Sequence, residues 1–411
     1  MNASITRRGL LGSGAALATL AAPPKARAQA QTIRIGVLTD LTGPYAGNTG
    51  KGTVTSVQLG AEDFMKANPG IKVEVMEADF QLKPDVAVAL ARDWIDNKGV
   101  DVLIDVPLSS AALALAGLVR EKDKVAMFTG TASSQLTGKD CGPNHVHWIY
   151  DTWSAAASSG RAMVADGGDT WFFIVADYAF GHALANDTAG FVERAGGKTL
   201  GRATTPFPGT TDFSAFLLQA QSSGAKVIGL ANGGSDTINC VKQAAEFGLT
   251  KKQRLVGMTT QITDVHAMGL ASAQGLYASE AFYWDMNAGT RAFSDRFTAR
   301  LPGLRPCSIQ AGNYSAVMHY LKAAKEMGVA KAKASGRAAI EQMKAMPTDD
   351  IILGKGVLRQ DGRKVHPMYL FQVKSPAESK GPWDYYKLAR TTPADQAFRP
   401  LNEGGCSMVK A

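Results

Sequence analysis

Two short stretches hold the residues best suited to chemistry. Thr129, Gly130, Thr131, Ala132, Ser133 and Ser134 follow the apolar run "KVAMF". About twenty residues upstream, Ser109 and Ser110 follow "VDVLIDV" in the same way. Small hydroxyl-rich corners of this kind can hold a nucleophile, cradle a phosphate, cap helices or grip a small anion.

The enzymatic readings fail on spacing. A serine hydrolase needs its nucleophile on a GxSxG elbow, and the chain has none. The six histidines, at 145, 147, 182, 266, 319 and 366, form no catalytic or HExxH pattern. "GPYAGNTGKGT" approaches a phosphate-binding loop around Lys51, but Tyr45 stands where the first glycine is needed and Gly52 where a hydroxyl is needed. A turn before a helix explains it better. No GxGxxG follows the first strand. No cofactor and no metal site are therefore expected.

Anion capture by neutral groups remains. A helix start exposes unpaired N–H groups at the positive end of its dipole, and serine or threonine hydroxyls add rotatable donors. A carboxylate can be held there without lysine or arginine. The competing role for Ser109, Ser110 and Ser133 is plain helix capping.

The elements that position these corners alternate regularly. "TIRIGVL", "IKVEVMEAD", "VDVLIDV" and "KVAMF" read as strands separated by helices, and the pattern restarts after Tyr150 with "TWFFIVAD", "KTLGRAT" and "AKVIGLAN". Apolar strands separated by helices imply parallel sheets covered on both faces. The fold class is α/β, with one half from about residue 32 to 151 and a second from 152 to 282. Another helix over 309–327 and a β-rich tail add to these halves. Ligands of such sheets sit beyond the carboxyl ends of the strands. Both hydroxyl corners lie there, as do "ADYAFG" at 176–181 and "ANGGSD" at 231–236.

The first thirty residues read as an export signal. Arg7 and Arg8 precede an alanine-rich apolar stretch, and "KARAQA" offers small residues for cleavage near Ala28 or Ala30, in the twin-arginine manner. Taking Arg7, Arg8, Lys25 and Arg27 from the formal charge of +8 leaves +4. That mild, dispersed charge, without a basic–aromatic cluster, argues against nucleic acid. Cys141, Cys240, Cys307 and Cys406 allow three full pairings in an oxidising compartment, and spacing does not choose among them.

The signal, "IGVLTDLTGPYAG", the two serine corners, "DYAFG" and "EFGL" together resemble the periplasmic leucine/isoleucine/valine-binding proteins. "VHWIYDTW", "WFFIVADYAFG", "DFSAFLLQAQSSGAKVIGLAN" and "FYWDMN" are similar to one branch of that family, and the likeness spans nearly all of 32–397. The resemblance implies a type I periplasmic-binding fold: two Rossmann-like lobes joined by a three-crossing hinge. It places residues 32–151 and about 284–347 in the first lobe, 152–282 and about 351–397 in the second, and 398–411 in a tail.

The resemblance also implies site roles. Ser109, Ser110, Thr131 and Ser133 would grip a ligand carboxylate, helped by backbone near Ala132. Tyr45 and Tyr150 would wall the pocket, Asp177 and Tyr178 would approach from the second lobe, and Asn232 would lie deeper. One departure matters. Amino-acid binders of the family carry an acid after the strand that here reads "QRLVGM"; this chain continues Thr259, Thr260, Gln261, and the next acid is Asp264. Either Asp177 replaces the missing acid, or the ligand carries no amine and Thr259 serves a keto, hydroxy or aromatic acid.

The expected function is a non-enzymatic, monomeric receptor that delivers a small carboxylate to the membrane permease subunits of an ABC importer. A branched-chain amino acid receptor is the alternative within transport. A ligand sensor regulating a partner protein is the alternative of another class.

Overall fold

The structure is a computed structural model that describes Met1 and residues 32–409. The twin-arginine signal read in residues 1–30 lies outside the described residues. The first sheet has strands β1 (Thr32–Thr39), β2 (Lys72–Asp79), β3 (Val102–Asp105), β4 (Val125–Phe128) and β5 (His145–His147) in the order β2-β1-β3-β4-β5, all parallel. Helices α1 (Gly50–Ala67), α2 (Pro84–Lys98) and α3 (Ser109–Glu121) connect them. Strands β3 and β4 are buried along their whole length, which is why they read as unbroken apolar runs.

The second lobe opens with α4 (Thr152–Ala165) and continues β6 (Thr170–Ala176), α5 (Ala179–Arg194), β7 (Lys198–Thr205), α6 (Ser214–Ser222), β8 (Val227–Ala231), α7 (Ser235–Glu246), β9 (Arg254–Gly257), α8 (Ile262–Met268), α9 (Leu270–Ala273) and β10 (Tyr277–Glu280). The chain then returns to the first lobe as α10 (Ala288–Arg300), α11 (Ser308–Met327), α12 (Val329–Ala334) and α13 (Gly336–Ala345). Tyr314 of α11 and Arg296 of α10 both bond Asp63 of α1, fixing the return against the first lobe.

The last passage differs from the expected crossing near residues 347–351. Asp350 accepts a hydrogen bond from Ser315 Oγ of α11, and Arg363 pairs with His147 of β5. The small hairpin β11 (Val357–Leu358) and β12 (Lys364–Val365) therefore stays beside the first lobe. Only then do β13 (Met368–Val373) and β14 (Tyr386–Thr392) join the second sheet, whose order is β14-β13-β10-β9-β8-β6-β7. β13 runs antiparallel to both β10 and β14.

In each sheet the strand order reverses beside the first strand of the lobe, between β1 and β3 and between β6 and β8. Crevices open at such switch points because the helices on either side leave toward opposite faces. The loops after β1, β3, β6 and β8 therefore face one gap.

After β14 the tail passes α14 (Ala394–Ala397) and returns to the first lobe. Arg399 bonds Ser134, and Cys406 forms a disulfide with Cys141, across 265 residues of sequence. Cys240 and Cys307 are free and buried. A cross-link closing so long a loop restricts the unfolded chain strongly, and its loss costs about 2–4 kcal/mol. Replacing Cys141 and Cys406 together by alanine should lower the melting temperature in calorimetry. An unchanged transition would show that the tail contributes no stability.

Candidate functional site

Between the lobes lies a small cavity of about 30 Å³. The first lobe contributes Tyr45, Asn48 and Thr49 from the loop after β1, Pro107 and Ser109 after β3, Gly130 and Ala132 after β4, and Ile309 of α11. Tyr150 lies at the first crossing, and the second lobe contributes Tyr178, Phe180, Gly233, Gly234 and Thr259.

Local backbone conformation aims the first-lobe groups. β3 ends in two residues with left-handed backbone, Asp105 (φ 82°) and Val106 (φ 59°). That conformation is costly for a β-branched residue and persists only where its surroundings impose it. Thr131 Oγ1 donates to Val106 O at 2.5 Å and holds the turn. A side chain at Gly130 would meet Asp105 Oδ1 at 2.6 Å and Pro107 Cα at 3.2 Å, so glycine permits this approach. The turn delivers Ser109 to the first position of α3, where Leu108 offers no side-chain cap. The first N–H groups of α3 are thus left for another acceptor.

Across the gap, Tyr45 and Tyr178 meet hydroxyl to hydroxyl at 2.5 Å. Phe207 stacks on Tyr178 with ring centroids 4.5 Å apart. Ser235 N donates to Pro44 O at 3.0 Å, and a side chain at Gly234 (φ 59°) would meet that carbonyl at 2.2 Å. The glycine pair is the socket for the Pro44–Tyr45 loop. Asn48 Nδ2 donates to Asp264 at 3.1 Å, and Thr263 Oγ1 donates to Asn48 Oδ1. Ser308 Oγ of the first lobe donates to Glu280 of the second at 2.6 Å, beside Tyr386 OH at 2.7 Å.

Among the described residues no lysine, arginine or histidine lines the cavity, and the buried carboxyls Asp236, Asp264 and Glu280 act on the tyrosines that do. Burial pushes Asp105, Asp236 and Glu280 up to about 7 and Asp264 up to about 6. Burial likewise holds the Tyr45 and Tyr150 hydroxyls well above the ordinary tyrosine range.

Of the residues singled out in the sequence, Tyr45, Ser109, Ala132, Tyr150, Tyr178 and Thr259 line the cavity. Other candidates point elsewhere. Ser110, the next residue of α3, is not among the residues lining the cavity. Thr131 spends its hydroxyl on Val106. Ser133 caps the short 3₁₀ turn Ser134–Thr137 by accepting from Gln135 N. Asp177 is turned to solvent, its side chain 60% exposed and paired with His182 at 2.8 Å, so it cannot replace the missing acid. Asn232 is buried behind the wall, with Oδ1 accepting from Thr237 Oγ1 at 2.7 Å. Lys51 also faces outward, to Glu77. Gly130, Gly233 and Gly234 belong to stretches singled out in the sequence, but as backbone they carry no side-chain signal. Asn48, Thr49 and Ile309 had none that sequence reasoning used.

Two Rossmann-like lobes closing over a cleft define a small-solute receptor, not an enzyme. The chain belongs to the periplasmic binding protein family, whose sequence profile matches residues 32–382. A periplasmic binding protein from Burkholderia mallei is 42% identical, with a TM-score of 0.87 over 93% of this chain and 100% of that one. A branched chain amino acid ABC transporter periplasmic ligand-binding protein from Burkholderia xenovorans is 40% identical, with a TM-score of 0.81 over 92% of this chain and 99% of that one. A solute binding protein from R. palustris, in complex with benzoate, shares the fold at 20% identity, with a TM-score of 0.77 over 92% of this chain and 99% of that one. A comparison with curated proteins finds no match. Family membership gives the type I fold, a periplasmic location, and work with the permease subunits of an ABC transporter.

Two outcomes follow for stability and binding. Ser109→Ala should weaken solute binding about ten-fold, the effect of losing one hydrogen bond to a charged ligand group. Ser133→Ala should leave affinity nearly unchanged and slightly lower the melting temperature. Calorimetry of both variants decides, and the reverse pattern would return Ser133 to the ligand. Glu280 has a folded-state pKa raised from 4.5 to about 7. Its neutral form contributes fully below the unfolded value, and that contribution is lost as pH rises through the folded value. The melting temperature should fall over this window and fall less in Glu280→Gln; equal slopes would exclude Glu280 as a source.

Proposed function

We propose that this receptor captures a small organic carboxylate without an α-amino group: a keto, hydroxy or aromatic acid. The carboxylate sits at the start of α3, on the Ser109 hydroxyl, unpaired helix N–H groups and the backbone near Gly130 and Ala132. The observation that carries the reading is the neutral Thr259 on the cavity wall after β9. The next acid, Asp264, takes Asn48 and Gln261 N at its Oδ2 and is not part of the cavity lining. Asp177 faces solvent. An ammonium buried against Thr259 would lack a counter-charge, at a cost of several kcal/mol. A keto or hydroxyl oxygen needs only a neutral donor. The benzoate bound by the R. palustris protein shows that this fold accommodates an acid with no amine.

A branched-chain amino acid is the second reading, favoured by the 40% identity to the B. xenovorans protein. The two readings differ in their proton balance. The carboxyls of Asp105, Asp236 and Asp264 repel an anion when ionised, and their raised pKa values place that ionisation near neutrality. Affinity for a plain carboxylate should therefore rise as pH falls through about 7, whereas a zwitterion gains no such advantage. Calorimetry on ligand-stripped protein should show 4-methyl-2-oxopentanoate binding above leucine, and phenylpyruvate above phenylalanine, with the oxo acids tighter at the lower pH. Tighter binding of both amino acids would establish the second reading instead.

A further inference from the structure

After β14 leaves the second sheet, the tail runs back across the seam, and its contacts pass from one lobe to the other. α14 packs against α4 of the second lobe, and Ala397 at its end is buried. Phe398 is buried too, with the Arg363 guanidinium 4.7 Å from its ring centre and the His366 ring edge-on at 4.9 Å. Arg363 in turn bonds Ile149 O and pairs with Asp151 Oδ2 at 3.3 Å. The tail therefore rests on two of the passages between the lobes, the one that precedes α4 and the one that follows β12.

Arg399, the next residue, meets both lobes. Its Nη2 donates to Ser134 Oγ of the first lobe at 2.5 Å, and Ser134 Oγ donates to Asp187 of α5 at 3.4 Å. Its guanidinium also lies 5.1 Å from the Trp153 ring of α4. The same corner is tied to α4 by backbone: Thr152 N donates to Ala132 O at 2.7 Å, and Ser134 N donates to Thr152 Oγ1 at 3.3 Å. Beyond Arg399 the tail keeps to the first lobe. Arg359 donates to Arg399 O at 2.8 Å, and Gln360 bonds Met408 O. A side chain at Gly138 would meet Gly404 O at 2.7 Å, and Cys406 is joined to Cys141.

We infer that residues 393–406 are a strap, a further connection between the lobes that limits how far the cleft opens. The second-lobe anchor ends at Ala397 and the first-lobe anchor begins at Arg399. Two residues of extended chain span at most about 7 Å. The lobes cannot part further at this point unless one anchor lets go. The disulfide keeps the first-lobe end from leaving; without it, only hydrogen bonds and packing hold that end. Neither Arg399 nor either cysteine lines the cavity, so the strap acts on the lobes and not on the solute. The inference is independent of which solute is bound.

The test compares ligand-stripped wild type with two variants, Cys141→Ala/Cys406→Ala and Arg399→Gln, well below their melting temperatures. The second variant keeps the disulfide, so it serves if the first folds poorly. Small-angle scattering should show a larger radius for the variants than for wild type. Hydrogen exchange read by NMR should show the Ser134 and Thr152 amides, which bridge the lobes, exchanging about ten-fold faster, the effect of one lost hydrogen bond to a charged group. Amides of the buried strands β3 and β8 should be unchanged. A purely structural tail would lower the melting temperature and leave both the radius and the seam amides as in wild type; that result would overturn the proposal. Faster exchange confined to residues 393–409 would overturn it as well, because the tail would then have come free without releasing the lobes.

Discussion

Several buried polar groups where the two lobes meet find their partners across the gap. Parallel sheets direct loops, helix N-termini and unpaired N–H groups toward their carboxyl ends. Here two such ends face each other. Pro44 O is matched by Ser235 N, Asp264 by Asn48, Glu280 by Ser308, and the Tyr45 hydroxyl by that of Tyr178. Each is a contact between lobes, so opening the cleft exposes them together. An unmet buried donor or acceptor costs about 1–3 kcal/mol. Closure is therefore favoured only when the remaining unmatched groups also find partners, and a ligand supplies them. A ligand touching both lobes selects the closed state by its differential contacts.

The same constraint explains the charge pattern. Among the described residues the cavity wall holds no cation, and buried carboxyls near it are driven toward neutrality by burial. On the proposed reading, such a site would hold an anion by oriented dipoles and hydroxyls rather than by a cation. Selectivity then depends on which groups stay unpaired in the closed protein, because those penalise any ligand that fails to meet them.

The lobes were legible because their central strands are buried on both faces and so read as apolar runs between helices. The cleft was legible for the same reason, since strand ends can be located from those runs. Side-chain direction was not. Ser109 and Ser110 are neighbours, yet the left-handed turn at Asp105–Val106 gives only Ser109 to the cavity. Thr131 spends its donor on Val106 O, and Ser133, which accepts from Gln135 N, is not among the residues lining the cavity. Asp177 and Tyr178 diverge at the end of β6, one to His182 and one to Tyr45. Ile309 reaches the cavity from a helix that follows a return crossing, and the pairing of Cys141 with Cys406 depends on where the tail ends up. Long-range topology decides both.

The central claim is that the bound solute is a carboxylate without an α-amino group. The most direct measurement is mass spectrometry of the small molecules released when natively purified protein is unfolded. The account predicts an acid that lacks an α-amine and is present in near-equal amount to the protein. Recovery of leucine, isoleucine or valine in that amount would contradict it.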